Sequence, residues 1–159
     1  MYLIERLIIG SVWLICLVSV IFIPKNKRRE ATAIMLFTQL HAWILGSLVV
    51  EAGLIKYPVR ELSKANSSSF SFEYFVLPLI CIFFNLYYPE NKPLATKLLY
   101  YVKIVSAFTF TEVIVEKYTL VIDYIHWNWY YTFISMFFVI FIVRVIYKWF
   151  FHLEKPLSL

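Results

Sequence analysis

Long apolar runs constrain this chain more than any other feature of its sequence. The first run, Leu7–Ile23, contains no charged residue and is followed by the basic segment PKNKRRE. A helix needs about 20 apolar residues to cross the hydrocarbon core of a bilayer, because no water is present there to bond to its backbone. Comparable runs recur at about 31–54, 72–88 and 128–149. The sequence therefore predicts an all-α integral membrane protein.

The overall composition agrees with this and excludes a water-soluble domain. The chain has 159 residues, of which 62% are hydrophobic and 16% are charged. Soluble domains are about 45–50% apolar and about 25% charged. The net charge of +5 could suggest nucleic acid, but the basic residues form short clusters between apolar runs, where membrane orientation explains them. We expect one transmembrane domain, residues 1–159, whose partner is the lipid bilayer and not nucleic acid.

Charge counting decides whether a fifth run, at about 96–117, also crosses the membrane. It is interrupted by two lysines in its first half and by Glu112, Glu116 and Lys117 in its second half. If it crosses the membrane and the N-terminus is outside, ten lysine and arginine residues are cytoplasmic and five are outside; otherwise seven are cytoplasmic and eight are outside. Only the first arrangement obeys the positive-inside rule. The ten cytoplasmic residues are Lys25, Lys27, Arg28, Arg29, Lys92, Lys97, Lys103, Arg144, Lys148 and Lys155.

The predicted fold is therefore a bundle of five transmembrane helices, with the N-terminus out and the C-terminus in. Arg144 lies close enough to the end of the last span for its side chain to snorkel to the interface. In the third span, Pro78 should free a backbone carbonyl and bend the helix. The predicted spans are about 4–23, 31–54, 72–88, 96–117 and 128–149.

Two connections have a distinctive composition. The Ser-rich segment KANSSSF, residues 64–70, reads as a loop tip. The segment WNWYY, residues 127–131, opens the last span. Trp and Tyr concentrate at the headgroup level of a bilayer because one end of each ring is apolar and the other is polar. We interpret WNWYY as an anchor at the outer interface.

The acidic residues are distributed unevenly along the predicted topology. Seven of the ten carboxylates would lie on or near the outer side, which the positive-inside rule does not require, because Asp and Glu contribute little to orientation. Glu112 and Glu116 are one helical turn apart, with Thr109 on the same face. Two carboxylates so close in a low dielectric should not both ionise unless a cation lies between them. The seven outer residues are Glu5, Glu51, Glu61, Glu73, Glu112, Glu116 and Asp123.

These residues suggest a polar pocket in the outer leaflet. Glu112 and Glu116 would form its floor, and Asp123 and His126, which share a face if their segment is helical, would form its lid. Such a pocket would bind a small ligand or a cation, as in a sensor or a transport accessory protein. The alternative is structural, with Glu5 or Glu116 paired with Arg6 or Lys117.

One face of the second predicted span suggests close helix packing. Gln39, Ala42 and Gly46 recur at helical spacing on that face. Small residues allow helix backbones to approach, and a buried amide can hydrogen-bond across the contact. This face could instead dock another membrane protein, which makes an assembly or scaffold subunit the second functional hypothesis.

Motifs for enzyme chemistry are missing from the sequence. It contains no GxSxG elbow, no P-loop and no HExxH pair, and it has only three glycines. Glu116, Asp123 and His126 are permissible metal ligands, but no second histidine lies near them, so neither a metal nor a cofactor is predicted. A membrane enzyme acting on a lipid or isoprenoid, with the acidic pair as acid and base, remains the third hypothesis.

The connecting segments also carry a resemblance. With PKNKRRE, YPVRE, FNLYYPENKP and YTLVIDYIHWNWYY after its first four spans, the chain resembles an uncharacterised family of small multi-pass integral membrane proteins of endospore-forming bacteria. The likeness covers most of the chain. It implies a location in a bacterial plasma membrane and transfers no functional residues.

Overall fold

The structure, a computed structural model, describes residues 2–151 as a helical bundle with one small sheet. This confirms the all-α prediction. The residues predicted to form the charged fourth span are one continuous helix of 25 residues. The helices are α1 (Leu3–Ile21), α2 (Arg28–Glu51), α3 (Leu77–Leu86), α4 (Leu94–Tyr118) and α5 (Trp129–Phe150), and the strands are β1 (Ile55–Lys56) and β2 (Asp123–Tyr124).

Four of the five helices, α1, α2, α4 and α5, are long and apolar enough to cross a membrane. The third is shorter. A five-residue π-helical turn, Phe72–Val76, leads directly into the ten residues of α3. At about 1.5 Å per residue the two together measure about 22 Å, against a hydrocarbon thickness of about 30 Å.

A Schellman motif ends α2 and turns the chain into β1. The amide of Gly53 donates to the carbonyl of Val50 at 2.9 Å, and the amide of Leu54 donates to that of Val49 at 3.1 Å. Gly53 has a φ of +69°, a left-handed conformation that strains residues with a Cβ. The turn leaves the Leu54 carbonyl free for the connection between α4 and α5.

The two strands bring that connection and the one between α2 and α3 to the same end of the bundle, which we call the sheet end. They pair antiparallel, with Ile55 opposite Tyr124 and Lys56 opposite Asp123. The amide of His126 donates to the Leu54 carbonyl at 3.1 Å. The helices therefore alternate in direction. The opposite end, which carries the Lys25–Arg29 cluster, is called the basic end.

The core lies around α3, the most buried helix. Leu77, Cys81, Ile82 and Phe84 are each at most 2% exposed. This helix packs mainly on α2, which also contacts α5. By contrast, α1 lies at the periphery, and Cys16 is its single buried residue. Large apolar side chains are exposed along all the long helices, a surface that suits lipid and that soluble monomers rarely show.

The connection before the π-helical turn folds into the bundle. Ser68, Ser69 and Ser71 are buried. The loop-tip interpretation of residues 64–70 is therefore correct for the exposed Lys64 and Ser67 but wrong for Ser68 and Ser69. The indole of Trp13, midway along α1, donates to the Ser71 hydroxyl at 2.6 Å. The non-helical backbone of this connection thus lies beside the middle of α1, where it is tolerated because surrounding protein covers it.

The helix face predicted for close packing is covered by the chain itself. Ala42 is buried, and Gln39 donates to the carbonyl of Tyr74 at 3.1 Å. A Cβ built on Gly46 would overlap the carboxyl group of Glu73. Gly46 therefore gives the Glu73 side chain room between α2 and the π-helical turn.

Candidate functional site

Two cavities lie next to each other at the sheet end. One, of about 170 Å³, is bordered by α1 and α4. The other, of about 250 Å³, is bordered by α2 and α5. Tyr57, Phe72 and Glu112 line both cavities. We refer to the pair as the sheet-end cavity. Most of its remaining lining is aliphatic, so the carboxyl group of Glu112 lies between two largely apolar spaces.

Hydrogen bonds fix the carboxyl group of Glu112. The hydroxyl of Thr132 donates to its Oε1 at 2.8 Å, and the phenol of Tyr124 donates to the same oxygen. The indole of Trp127 donates to the Thr132 hydroxyl at 2.8 Å. Hydrogen bonds to a charged acceptor are the stronger ones. Both direct bonds end on Oε1, and no donor within residues 2–151 reaches Oε2.

Glu73 is the most deeply buried carboxyl group at this end. It is 2% exposed, and its Oε2 has no hydrogen-bond partner among the described residues. The side chains of Asn66 and Ser68 lie beside its carboxyl group. Burying a carboxyl group without a compensating partner costs free energy. Packing alone therefore does not explain why a carboxyl group with one unpaired oxygen is buried at this position.

A third carboxyl group, that of Glu61, belongs to the loop that folds inward. Glu61 lines the smaller cavity. Its Oε1 accepts from the indole of Trp13 at 3.1 Å and from the hydroxyl of Ser71. The α1 helix therefore holds the loop through polar contacts, and the loop in turn brings Glu61 to the cavity wall.

Tyr57 links the carboxyl groups electrostatically. Burial, together with the charges of Glu112 and then Glu73, raises the pKa of its phenol. Tyr124 responds in the same way, because burial and its contact with Glu112 raise the pKa of its phenol. Both phenols therefore remain protonated at neutral pH, and that of Tyr124 donates to Glu112.

Within residues 2–151, no lysine or arginine forms an ion pair with Glu61, Glu73 or Glu112. Within residues 2–151, the ion pairs join Lys27 to Glu30 at 2.7 Å, Lys148 to Glu90 at 3.4 Å, and Arg144 to Glu90. All of them are at the basic end. The structural alternative that paired Glu5 or Glu116 with nearby cations is not formed in this part of the chain. The carboxyl groups at the sheet end have no protein counter-ion there.

Of the five predicted site residues, Glu112 lines the cavity. Thr109 is buried one turn deeper, and its hydroxyl has no partner among the described residues. Glu116 is one turn nearer the end of α4 and outside the lining. Asp123 pairs with Lys56 in the sheet, and the side chain of His126 is exposed. Asp123 lies in β2 and His126 in the bend that follows it, so the helical face expected for them does not form.

Sequence reasoning missed several polar residues that line the cavity, as Glu61 and Thr132 do, or lie beside it, as Glu73 and Tyr124 do. Glu61 and Glu73 stood among the seven outer carboxylates, but nothing in their spacing connected them to Glu112. Tyr124 and Thr132 flank the aromatic anchor and attracted no separate interpretation. These residues share one sequence feature: each is a polar residue within a few positions of a helix end at the predicted outer side. Many other residues have this feature, so it is a weak indication of a site.

The cavity does not have the ligands of a metal centre. No group of three or more histidine, cysteine, aspartate or glutamate side chains converges among the described residues. Hard cations such as Ca²⁺ require about six to eight oxygen ligands. A carboxyl group between apolar walls is better suited to an organic cation with an apolar body.

Comparisons with protein-family models, with curated proteins and with solved structures found no match to this chain.

Proposed function

We propose that this is a multi-pass protein of a bacterial plasma membrane whose sheet-end cavity binds a small organic cation. The observation that carries the proposal is the position of Glu112, whose carboxyl group separates two apolar cavities and has no protein counter-ion among the described residues. In a low dielectric, an unpaired carboxylate attracts a cation far more strongly than in water. A role as a sensor or transport accessory follows from such a site.

The proposed topology has five spans, with the sheet end outside. The lysine and arginine clusters at the basic end favour its cytoplasmic placement. Alternating helix directions support a crossing by α3 despite its length, because α4 runs parallel to α2 and both end at the sheet. A short span can be accommodated by local thinning of the bilayer. The bacterial location rests on the family resemblance.

The dimensions and chemistry of the cavity favour one class of ligand. Its volumes of about 170 and 250 Å³ suit a small molecule, and its aliphatic lining suits an apolar body. Glu61 and Glu112, the two carboxyl groups in the lining, favour a positive charge on that body. Trp127 and Thr132 position the Glu112 carboxyl group and would hold it in place for the ligand.

The scaffold hypothesis receives less support. Its docking face contained Gln39, Ala42 and Gly46, and these residues contact the π-helical turn and α3 of the same chain. A partner could reach that face only by displacing the chain's own helix.

Binding of a lipophilic cation tests the proposal. Purified protein in nanodiscs is titrated with radiolabelled phenyltrimethylammonium, and with tert-butylbenzene, a neutral molecule of the same shape. We expect saturable binding of the cation alone. Glu112→Gln should weaken it at least about tenfold, since a charged contact is worth about 1.5 kcal/mol or more.

Glu116→Gln is the matched control, because it removes the same charge from the same helix, one turn outside the cavity lining. It should leave the affinity within about twofold, because Glu116 lies outside the lining of both cavities. Equal losses in the two variants, or equal binding of the neutral molecule, would reject the proposed site. Circular dichroism of each variant checks that the bundle is intact.

A further inference from the structure

A separate groove lies at the basic end, opposite the sheet-end cavity. It has a volume of about 400 Å³ and runs between the first half of α4 and the second half of α5. Its charged lining residues are Glu90, Lys97, Arg144 and Lys148. We call it the basic groove. Three cations and one anion give it a positive charge, and the proposed function makes no use of it.

Arg144 forms the fixed floor of this groove. The sequence suggested that it would snorkel to the interface, but it is 7% exposed. Its guanidinium donates to Asn85 Oδ1 at 3.1 Å, pairs with Glu90, and lies 4.0 Å from the ring centroid of Tyr88. Glu90 thus pairs with its charge, and the Tyr88 ring packs against its planar face. Arg144 is held in place rather than free to follow a ligand.

The two lysines are less restrained. Lys148 Nζ is 3.4 Å from Glu90 Oε1, although that carboxylate already pairs with Arg144. Lys97 makes no ion pair within the described residues. Both side chains are only partly buried. They are therefore available to bind an anion entering above Arg144.

The N-terminus of α4 adds a further positive contribution. Leu94, its first residue, lines the groove, and no side chain caps the helix there. The first amide groups of a helix and its macrodipole favour an anion at this position. Three cationic side chains and this helix end therefore surround one opening, against the single carboxylate of Glu90.

The rest of the groove is apolar and faces outward. Leu98, Phe141 and Val145 line it, and each is about half exposed. They continue from the charged end along the helix surface that would contact acyl chains. A charged end joined to an apolar track on the bilayer side matches the two parts of a phospholipid.

We propose that the basic groove binds an anionic phospholipid, with its phosphate between Lys97 and Lys148 and one acyl chain along Leu98 and Phe141. Basic pockets between spans on the cytoplasmic side are suited to such headgroups. Zwitterionic lipids carry their own cation next to the phosphate, which would meet Arg144 unfavourably. Inorganic phosphate shares the headgroup chemistry but lacks the chain.

Native mass spectrometry of the full chain, released from neutral detergent, tests this assignment. The protein is titrated with dioleoylphosphatidylglycerol and with dioleoylphosphatidylcholine, which have the same acyl chains. We expect preferential retention of phosphatidylglycerol. The double variant Lys97→Gln, Lys148→Gln should weaken that binding about 25-fold, or about fivefold for each lysine, while phosphatidylcholine binding stays unchanged.

The double variant Lys25→Gln, Lys92→Gln is the matched control, because it removes the same charge at the same end but outside the groove. Its binding of phosphatidylglycerol should change less than about twofold. Equal losses in both double variants would indicate diffuse attraction and overturn the assignment. Glycerol phosphate that competes as well as the intact lipid would also overturn it. Because Lys97 makes no ion pair among the described residues, Lys97→Gln alone provides the test if the double variant misfolds.

Discussion

Gln39 on α2 donates its side-chain amide to the backbone carbonyl of Tyr74 at 3.1 Å, and this bond replaces one that Pro78 cannot make. Proline has no N–H, so the carbonyl four residues earlier in a helix loses its donor. The π-helical turn Phe72–Val76 accommodates the proline at this point. A side chain from the preceding helix thus completes the backbone of the next one and holds the two together.

Removing this amide should destabilise the protein. Gln39→Leu removes this side-chain donor from the Tyr74 carbonyl. We expect the free energy of unfolding to fall by about 0.6–2 kcal/mol, between the mean for side-chain bonds in membranes and the cost of an unsatisfied buried group. Unfolding in mixed micelles, followed by circular dichroism, measures the change.

Pro78→Ala provides the internal control for that measurement. Alanine restores an N–H that can bond to the Tyr74 carbonyl, so Gln39→Leu should cost much less in the Pro78→Ala background. The difference between the two costs is the coupling energy of the pair. If Gln39→Leu is equally costly in both backgrounds, the amide stabilises the fold through some other contact.

A second prediction concerns Gly46, where a methyl group would meet the carboxyl group of Glu73. Gly46→Ala should lower the unfolding free energy by about 1–3 kcal/mol, the usual cost of overpacking. Gly10→Ala is the matched control, because nothing lies within 4 Å of a Cβ there, and it should be neutral or slightly stabilising through helix propensity.

The Glu73→Ala background separates the clash from the loss of glycine itself. With the carboxyl group gone, Gly46→Ala should become nearly neutral. A Gly46→Ala variant as stable as the starting protein would mean that Glu73 moves without cost, and that the close approach of α2 to the π-helical turn is not required.

The sequence was informative about the helices because span length and hydropathy are local properties. Charge counting favoured a helix at 96–117, and α4 extends over Leu94–Tyr118. Local patterns could not reveal that the segment before α3 folds inward, because its contacts join residues far apart, such as Trp13 and Glu61. The buried serines carry no apolar periodicity that would have predicted their burial.

The candidate site was less predictable for a related reason. Helical spacing gives the direction of a side chain but not the neighbour that faces it. Spacing alone placed Glu116 with Glu112, yet the cavity ends below Glu116. The interpretation of Asp123 and His126 assumed a helix, whereas pairing with β1 makes that segment extended. Long-range strand pairing of two residues leaves no detectable sequence pattern.

A third prediction tests the five-span topology by labelling. Lys64→Cys and Asn128→Cys place exposed thiols at the sheet end, and Lys92→Cys places one at the basic end. A membrane-impermeant maleimide added to intact cells should label the first two, and Lys92→Cys only after permeabilisation. The native Cys16 and Cys81 are buried, which keeps the background low.

Each thiol tests a different crossing. Labelling of Lys92→Cys in intact cells would show that α3 does not cross the membrane. Protection of Asn128→Cys together with exposure of Lys64→Cys would show that α4 does not return to the outer side. Either result would separate the carboxyl groups from the assumed outer leaflet and remove the basis for an external ligand.

The fourth prediction concerns alkaline pH and the phenols of Tyr57 and Tyr124. Burial and the neighbouring carboxyl groups raise the pKa of both in the folded protein, whereas an unfolded tyrosine ionises near pH 10. The folded state therefore binds their protons more tightly. Its resulting stability is fully present below about pH 10 and is lost as the pH rises further, by at most about 1.4 kcal/mol per pH unit for each phenol.

Unfolding measured between about pH 8 and 11 should show this decline, and Tyr57→Phe should make it shallower by removing one of the two phenols. Phenylalanine keeps the ring and its packing, so the variant should match the starting protein closely at neutral pH. A Tyr57→Phe protein that loses stability as steeply as the starting protein would place the Tyr57 hydroxyl in water, away from Glu112 and Glu73. The cavity would then be more hydrated than its lining indicates, and the attraction of its carboxyl groups for a cation would be correspondingly weaker.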